Sequence, residues 1–251
     1  MNELKDKVAV ITGGSGDIGA AAAIKFAHEG AKSIVIADLD IKKAEKICSK
    51  IQSVAGCSCI AVKTDVSSFP DIKRLFEITL KNYGTLDILV NCAGICPIAT
   101  LEEIGEEQWN KVMDINLKST YLCSREAIAI MKEKKSGKII NISSIAGRMG
   151  GIVTAISYAT SKGAIITLTK SLAKMCGPYN INVNCLAPGT IETEMTNGWD
   201  KNWKKDILKG IPLGRFGKAE DVANAIVFLA SEKSSFMTGA IIDLNGGSYS
   251  G

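Results

Sequence analysis

Val8-Ala9-Val10-Ile11-Thr12-Gly13-Gly14-Ser15-Gly16-Asp17-Ile18-Gly19 decides the fold of this chain. Its first five residues are apolar or β-branched without polar alternation, the pattern of a strand buried on both faces. The glycines then make a tight turn, and an Ala-rich helical stretch runs on to Gly30. In the spacing Gly14-x-Gly16-x-x-Gly19, glycines permit the turn, the approach of backbone to a pyrophosphate and close helix–strand packing. The helix N-terminus offers such a phosphate N–H donors and positive potential. A glycine turn alone carries no such meaning. Here a strand precedes it, a helix follows, and an acidic residue, Asp38, closes the next apolar run. A carboxylate there accepts hydrogen bonds from an adenosine ribose and repels a 2′-phosphate, so NAD is expected over NADP. The plainer reading is that Asp38 caps a helix beginning near Asp40. No arginine follows to neutralise a phosphate, although Lys42 and Lys43 are close in sequence.

Outward from this unit, apolar runs recur at 33–37, 60–63, 88–91, 138–143, 182–187 and 240–244, with amphipathic stretches between them. Short apolar runs alternating with helical patterns argue for an α/β protein with a doubly wound parallel sheet, its ligand site at the carboxyl ends of the strands. Residues 190–212 break the rhythm with Gly, Asn, Lys and two Trp before a helix near Ala219, and a connection that long is expected to be a binding loop or lid.

The 251 residues contain no linker-like segment and read as one domain, 1–251. With 46% hydrophobic and 22% charged residues, the chain has material for a substantial core. There is no apolar leader at the N-terminus and no run of eighteen apolar residues, so a soluble, cytoplasmic protein without membrane contact is expected. The net charge of +4 is dispersed, and no basic stripe with interleaved aromatics suggests nucleic acid. The eight cysteines lie in apolar segments and the one histidine, His28, is far from them, so reduced thiols and no metal site are expected.

A second stretch carries chemistry. Tyr158-Ala-Thr-Ser-Lys162 places a phenol and an ammonium one helical turn apart, on one face of a helix. The ammonium favours the phenolate and is expected to lower the phenol pKa from its ordinary value of about 10. Ser144 follows an apolar strand upstream of the pair, and Ser143 competes with it as the functional hydroxyl.

Taken together, Thr12 to Gly19, Asp65-Val66, Asn91-Cys92-Ala93-Gly94, Asn116, Ser144, Tyr158 with Lys162, and Pro188-Gly189 followed by Thr193 resemble the landmarks of the short-chain dehydrogenase/reductase family over nearly the full chain. The resemblance implies a Rossmann fold with a seven-stranded parallel sheet and helices on both faces, and hydride transfer between a secondary alcohol and a ketone with NAD(P). It implies that Tyr158 is the acid/base, that Lys162 holds the nicotinamide ribose and depresses the Tyr158 pKa, that Ser144 binds the substrate oxygen, and that Asn116 orders a proton path; a helix kink or cap is the plainer role for Asn116. Cofactor contacts are implied at Gly13, Ser15, Gly16, Asp17, Ile18 and Gly19, at Asp38 and Leu39, at Asp65 and Val66, and at Asn91, Ala93 and Gly94. Tyr158, Lys162, Pro188, Gly189, Ile191 and Thr193 complete the set.

Asp17 and Cys92 depart from the family pattern, which usually has Gly and Asn there. A carboxylate about 6 Å from a pyrophosphate repels it by about 3 kcal/mol per charge at an effective dielectric near 20. As a first-turn acid Asp17 is better placed turned away, and the expectation is real but weakened NAD binding. Cys92 is expected to be a packing residue.

The subgroup resembled includes 3-oxoacyl-carrier-protein reductases, sugar and polyol dehydrogenases and steroid dehydrogenases, with specificity expected in residues 190–212 and 148–157. Acyl-carrier reductases of this family usually take NADPH and carry a basic docking residue near the position of Tyr179. Asp38 and Tyr179 therefore favour an NAD-linked alcohol/ketone oxidoreductase, with the NADPH-linked acyl-carrier reductase as the alternative. From another class, a non-catalytic NAD-binding regulator is the rival reading, and the intact Ser, Tyr, Lys and Asn set speaks against it. Trp199 and Trp203 either clamp an apolar substrate or serve as core anchor and subunit contact. Arg148 is a candidate receiver for an anionic substrate group. Family analogy implies a homotetramer, with residues 106–131 and 157–176 between subunits and residues 243–247 at another contact.

Overall fold

The computed structural model describes residues 2–54, 56–151 and 154–251. Ile152 and Val153, within the expected specificity segment 148–157, thus lie outside the described residues. In chain order, β1 (Val8–Thr12), α1 (Asp17–His28), β2 (Ser33–Asp38), α2 (Ile41–Gln52), β3 (Ser58–Lys63), α3 (Phe69–Tyr83) and β4 (Ile88–Asn91) form the first half. The second half holds α4 (Glu106–Val112), a π-helical turn (Met113–Lys118), α5 (Ser119–Lys134), β5 (Gly137–Ile142), α6 (Ala146–Met149), α7 (Ile156–Cys176), β6 (Ile181–Pro188), α8 (Glu194–Asn197), α9 (Lys201–Lys209), α10 (Ala219–Ala230) and β7 (Ile241–Leu244).

Among the described residues seven strands make one sheet in the order β3-β2-β1-β4-β5-β6-β7. Every pairing is parallel, with Val10 level with Val35 and Leu89, and Ile140 level with Asn184. This is the Rossmann fold. Strands β1, β4 and β5 are buried along their whole length because helices cover both faces. Alternate side chains go to opposite layers: Ala9, Ile11, Ile34 and Ile36 pack with Phe26 on the face covered by α1, α2 and α10. Val10, Val35 and Leu89 pack with Phe76 and Met131 on the face covered by α3, α5 and α7. Phe26 is fully buried, and truncating such a ring to Ala costs about 3–5 kcal/mol.

Local chemistry sets the ends of the helices. Asp40, at the N-cap of α2, accepts from the Lys43 N–H at 3.0 Å, and Ser68 caps α3, which ends at Gly84 in the left-handed region. Because β1 lies between β2 and β4, the connections leaving β1 and β4 diverge to opposite faces and leave a crevice at their carboxyl ends. No helix among the described residues is long and apolar enough to cross a membrane, and no group of three metal-ligating side chains is found among them.

Candidate active site

A cavity of about 910 Å³ opens in that crevice. Its floor at the β1 end is the glycine turn. Gly13 has φ +63°, and a Cβ there would lie 2.7 Å from the Ala93 Cα; a Cβ on Gly19 would lie 2.3 Å from the Gly13 carbonyl. The turn therefore folds this tightly only with glycine. Gly13, Ser15, Gly16, Asp17, Ile18 and Gly19 all line the cavity, and no side chain caps the N-terminus of α1. Its first N–H groups are thus available to an anionic group, which is the fit a dinucleotide pyrophosphate requires.

Asp38, at the end of β2, lines the same wall with Leu39. Its Oδ2 accepts from the Ser15 N–H at 2.9 Å and its Oδ1 from the Asp40 N–H at 3.1 Å, so the carboxylate ties the glycine turn to β2 and turns the chain into α2. Asp40 is the α2 cap itself. Asp65 and Val66 line the next wall, with the Asp65 carboxylate accepting from the Ser67 N–H at 2.9 Å and hydroxyl at 2.6 Å. Ala93, Gly94, Pro188, Gly189, Ile191 and Thr193 also line the cavity.

Asn91 is placed differently from the sequence expectation. It does not line the cavity; its Nδ2 donates to Ser124 Oγ at 3.0 Å and Asn141 Oδ1 at 2.8 Å in a buried network behind the sheet end. As the last residue of β4 it alternates inward, so its Nδ2 donors are used within the core.

The reacting end is built from β5 and α7. Tyr158 and Lys162 share one face of α7 and both line the cavity, the Lys162 Nζ standing 5.7 Å from the Tyr158 ring centroid. Lys162 Nζ donates to the Ile142 carbonyl at 2.8 Å. Ser143 and Ser144 both line the cavity and separate by the partners of their hydroxyls: Ser143 Oγ donates to the buried Lys162 carbonyl at 2.7 Å, whereas Ser144 Oγ accepts from the Ala146 N–H at 3.1 Å. Burial pushes the Tyr158 phenol up, the thiols of Cys96 and Cys92 add to this, and the Ser144 hydroxyl pulls it down. Burial lowers the Lys162 ammonium. Burial is thus the largest influence on the Tyr158 phenol in this arrangement, and its direction is opposite to the lowering expected from Lys162.

Asn116 sits at a helix irregularity, the plainer of the two places expected for it. It is fully buried in the π-helical turn; its Oδ1 accepts from the Ile95 N–H at 2.8 Å, and its Nδ2 donates to the Ile95 carbonyl at 3.0 Å and to Ser161 Oγ at 3.1 Å. Its side chain clamps the 94–96 segment over Lys162 and does not line the cavity. Arg148 is not available to a substrate anion: its guanidinium makes a bidentate pair with Asp243 at 2.9 and 2.7 Å and stands over the Tyr249 ring.

Beyond Tyr158 the wall is mostly apolar, with Thr154 and Asp206 also lining the cavity. Ile95, Ile145, Met149, Met195, Trp199 and Ile207 line it, and Trp203 packs behind Trp199 with centroids 5.0 Å apart, so only one indole faces the cavity. Met149, Met195, Trp199 and Ile207 fall within the expected specificity segments 148–157 and 190–212, whereas Ile95 and Ile145 sit singly in connections where no periodicity marks them. The Cys96 thiol, pushed up to about 11 by burial, also lines this part. All eight cysteines are free thiols.

A family model described as enoyl-(acyl carrier protein) reductase matches residues 14–249. A crystal structure described as a short-chain alcohol dehydrogenase from Sinorhizobium meliloti superposes with TM-score 0.93 at 31% identity, covering 98% of this chain and 97% of that one. The chain belongs to the short-chain dehydrogenase/reductase family. This short-chain dehydrogenase/reductase is 40% identical over 248 residues to a 3-oxoacyl-(acyl-carrier-protein) reductase of Chlamydia muridarum, covering 98% of this chain and 99% of the relative. It is 37% identical to a reductase of the same name from Thermotoga maritima, covering 97% of this chain and 98% of the relative. As a short-chain dehydrogenase/reductase it is an oxidoreductase, and Tyr158, Lys162 and Ser144 line one cavity.

Proposed function

We propose that the protein reduces the 3-keto group of an acyl thioester to the 3-hydroxyacyl product. The observation that carries this reading is the apolar wall beyond Tyr158, from Ile95 and Ile145 to Met195, Trp199 and Ile207, which suits an acyl chain and offers no cation to a small anionic substrate. The relatives named 3-oxoacyl-(acyl-carrier-protein) reductase support the same substrate class. Lys132 Nζ stands 4.4 Å from the Tyr179 ring centroid, so positive charge is present where Tyr179 alone argued against docking of an acidic carrier.

A nicotinamide cofactor, when bound, would supply the hydride for such a reduction. Glycine-turn N–H groups and the α1 N-terminus would hold the pyrophosphate, Asp38 the adenosine ribose, and Lys162 the nicotinamide ribose. Tyr158 delivers its phenolic proton to the substrate oxygen, and the Ser144 hydroxyl donates to that oxygen as negative charge builds on it. Asp38 favours NADH, since a 2′-phosphate would meet a carboxylate.

A second reading, an NAD-linked dehydrogenase of a compact apolar alcohol, is favoured by Asp38 alone. The two separate in one experiment: oxidation of NADH and NADPH with acetoacetyl and longer 3-oxoacyl thioesters, cyclic ketones and oxo-steroids. Turnover of thioesters, increasing in kcat/KM with chain length, is expected. Turnover confined to cyclic ketones would replace the first reading with the second. We also propose a homotetramer by family analogy, supported by exposed Tyr121 on α5 and Ile156 and Met175 on α7; light scattering giving a monomer at micromolar concentration would refute it.

A further inference from the structure

Asp17, at the start of α1, reaches across the cavity mouth. Its Oδ2 accepts a hydrogen bond of 2.7 Å from the N–H of Glu194, the first residue of α8. The Glu194 carboxylate in turn holds Lys43 of α2, with both oxygens accepting from Nζ at 2.9 and 3.2 Å. Lys43 is anchored below by Asp40, and its pKa is raised mainly by the hydrogen bond to Glu194, with further contributions from the charges of Glu194, Asp40 and Asp17. Asp38 closes the circle through the Ser15 N–H at 2.9 Å. Ser15, Asp17, Asp38, Lys43 and Glu194 all line the cavity, so these contacts form a ring around its dinucleotide half.

The segment carrying Glu194 is otherwise well ordered by local contacts. Thr196 Oγ accepts from the Thr193 N–H at 3.0 Å and donates to the Ile191 carbonyl at 3.0 Å, and Ile191 bridges to Gly217 in parallel fashion. A pull on the Glu194 amide is therefore transmitted to the whole α8 turn and to Met195, which lines the apolar wall. A carboxylate that merely repelled a pyrophosphate would have no reason to be engaged here.

We propose that Asp17 is a positioning residue: it fastens α8 over the dinucleotide half of the cavity and slows departure of the bound nicotinamide cofactor, with the Glu194–Lys43 pair as a second fastening. The inference rests on the dinucleotide reading of the cavity. It reverses the expectation that Asp17 weakens cofactor binding. A carboxylate accepting the Glu194 N–H has part of its charge directed into a donor and away from the glycine turn.

The test separates fastening from charge. Asp17→Asn keeps an oxygen that accepts the Glu194 N–H but removes the charge, whereas Asp17→Gly removes both. Release of NADH is followed by stopped-flow fluorescence, and exchange of the backbone amides of residues 193–197 is followed by hydrogen–deuterium mass spectrometry on protein without added cofactor. Asp17→Gly is expected to release NADH roughly threefold to tenfold faster, the value of one such hydrogen bond, and to lose protection at 193–197. Asp17→Asn is expected to stay within about twofold of wild type in release, and Lys43→Ala to lie between the two at low salt and merge with wild type at high salt. Slower release in both Asp17 variants, with 193–197 protection unchanged, would overturn the proposal and restore the repulsion. Failure of wild-type protein to bind NADH or NADPH would instead strike the dinucleotide reading, while the exchange data would still report whether Asp17 fastens α8.

Discussion

The Ser143 hydroxyl donates to the carbonyl of Lys162 at 2.7 Å, joining the end of β5 to the middle of α7 from inside the protein. Ser144 next to it faces the cavity. Adjacent serines thus have separable jobs. Ser143→Ala is expected to cost about 1–3 kcal/mol of stability because a buried partner is left unpaired, seen as a lower Tm. Ser144→Ala is expected to leave Tm nearly unchanged and to lower kcat about 100-fold, as loss of an oxyanion donor does. The reverse pattern would exchange their roles.

Tyr158→Phe removes the phenol placed against the substrate wall. Steady-state kcat is expected to fall by about 10³-fold, within the range for loss of a general acid, while NADH binding measured by fluorescence titration persists. Retention of a tenth of wild-type kcat would mean that another group delivers the proton.

Burial holds the Tyr158 phenol above its ordinary pKa, so the proton is on the oxygen throughout the neutral range. Reduction needs that proton and oxidation needs its absence. Accordingly kcat/KM for ketone reduction is expected to be flat from about pH 7 to about pH 9, whereas kcat/KM for alcohol oxidation rises close to tenfold per unit over the same span. A reduction rate that climbs with pH would contradict the assignment.

Asp38→Ser removes the carboxylate that a 2′-phosphate would meet. At an effective dielectric near 20 a pair of charges some 6 Å apart is worth about 3 kcal/mol, and solvent reduces this, so the NADPH/NADH ratio of kcat/KM is expected to rise by at least about tenfold. Because Asp38 also holds the Ser15 N–H, NADH affinity should fall in the same variant. An unchanged ratio would remove Asp38 as the selector.

Gly147 lies against the backbone of Lys162: a Cβ there would sit 2.6 Å from the Lys162 carbonyl carbon and 2.7 Å from the Gly163 nitrogen. Gly147→Ala is expected to destabilise the protein by about 1–3 kcal/mol through overpacking and to lower kcat more than it changes cofactor affinity. Chemical denaturation and steady-state kinetics check both parts.

The strands were legible because burial on both faces leaves a run of apolar residues that no helix period explains. The Ser58–Lys63 strand is longer than the expected 60–63 because its exposed Ser58 start carries no apolar signal. The helices Glu194–Asn197 and Lys201–Lys209 within 190–212 were read as loop, since one is a single turn and Gly198 separates them. The face of α7 that carries Tyr158 and Lys162 was legible from their spacing together with Ser144 and the glycine turn, whereas the place of Ile95 and Ile145 in the apolar wall was not, because they come from connections after different strands.

The sequence by itself determined the order of strands and helices, the glycine turn and the pairing of Tyr158 with Lys162, since each rests on local periodicity, backbone freedom or one helical turn. Only the tertiary structure decided which polar groups meet across the sheet ends. Asp17 finds the Glu194 N–H 177 residues away, Arg148 finds Asp243, Asn91 and Asn116 use side-chain donors on buried neighbours, and burial pushes the Tyr158 phenol up. Those partnerships depend on the packing order of the strands and on desolvation, and neither is a property of any short stretch of chain.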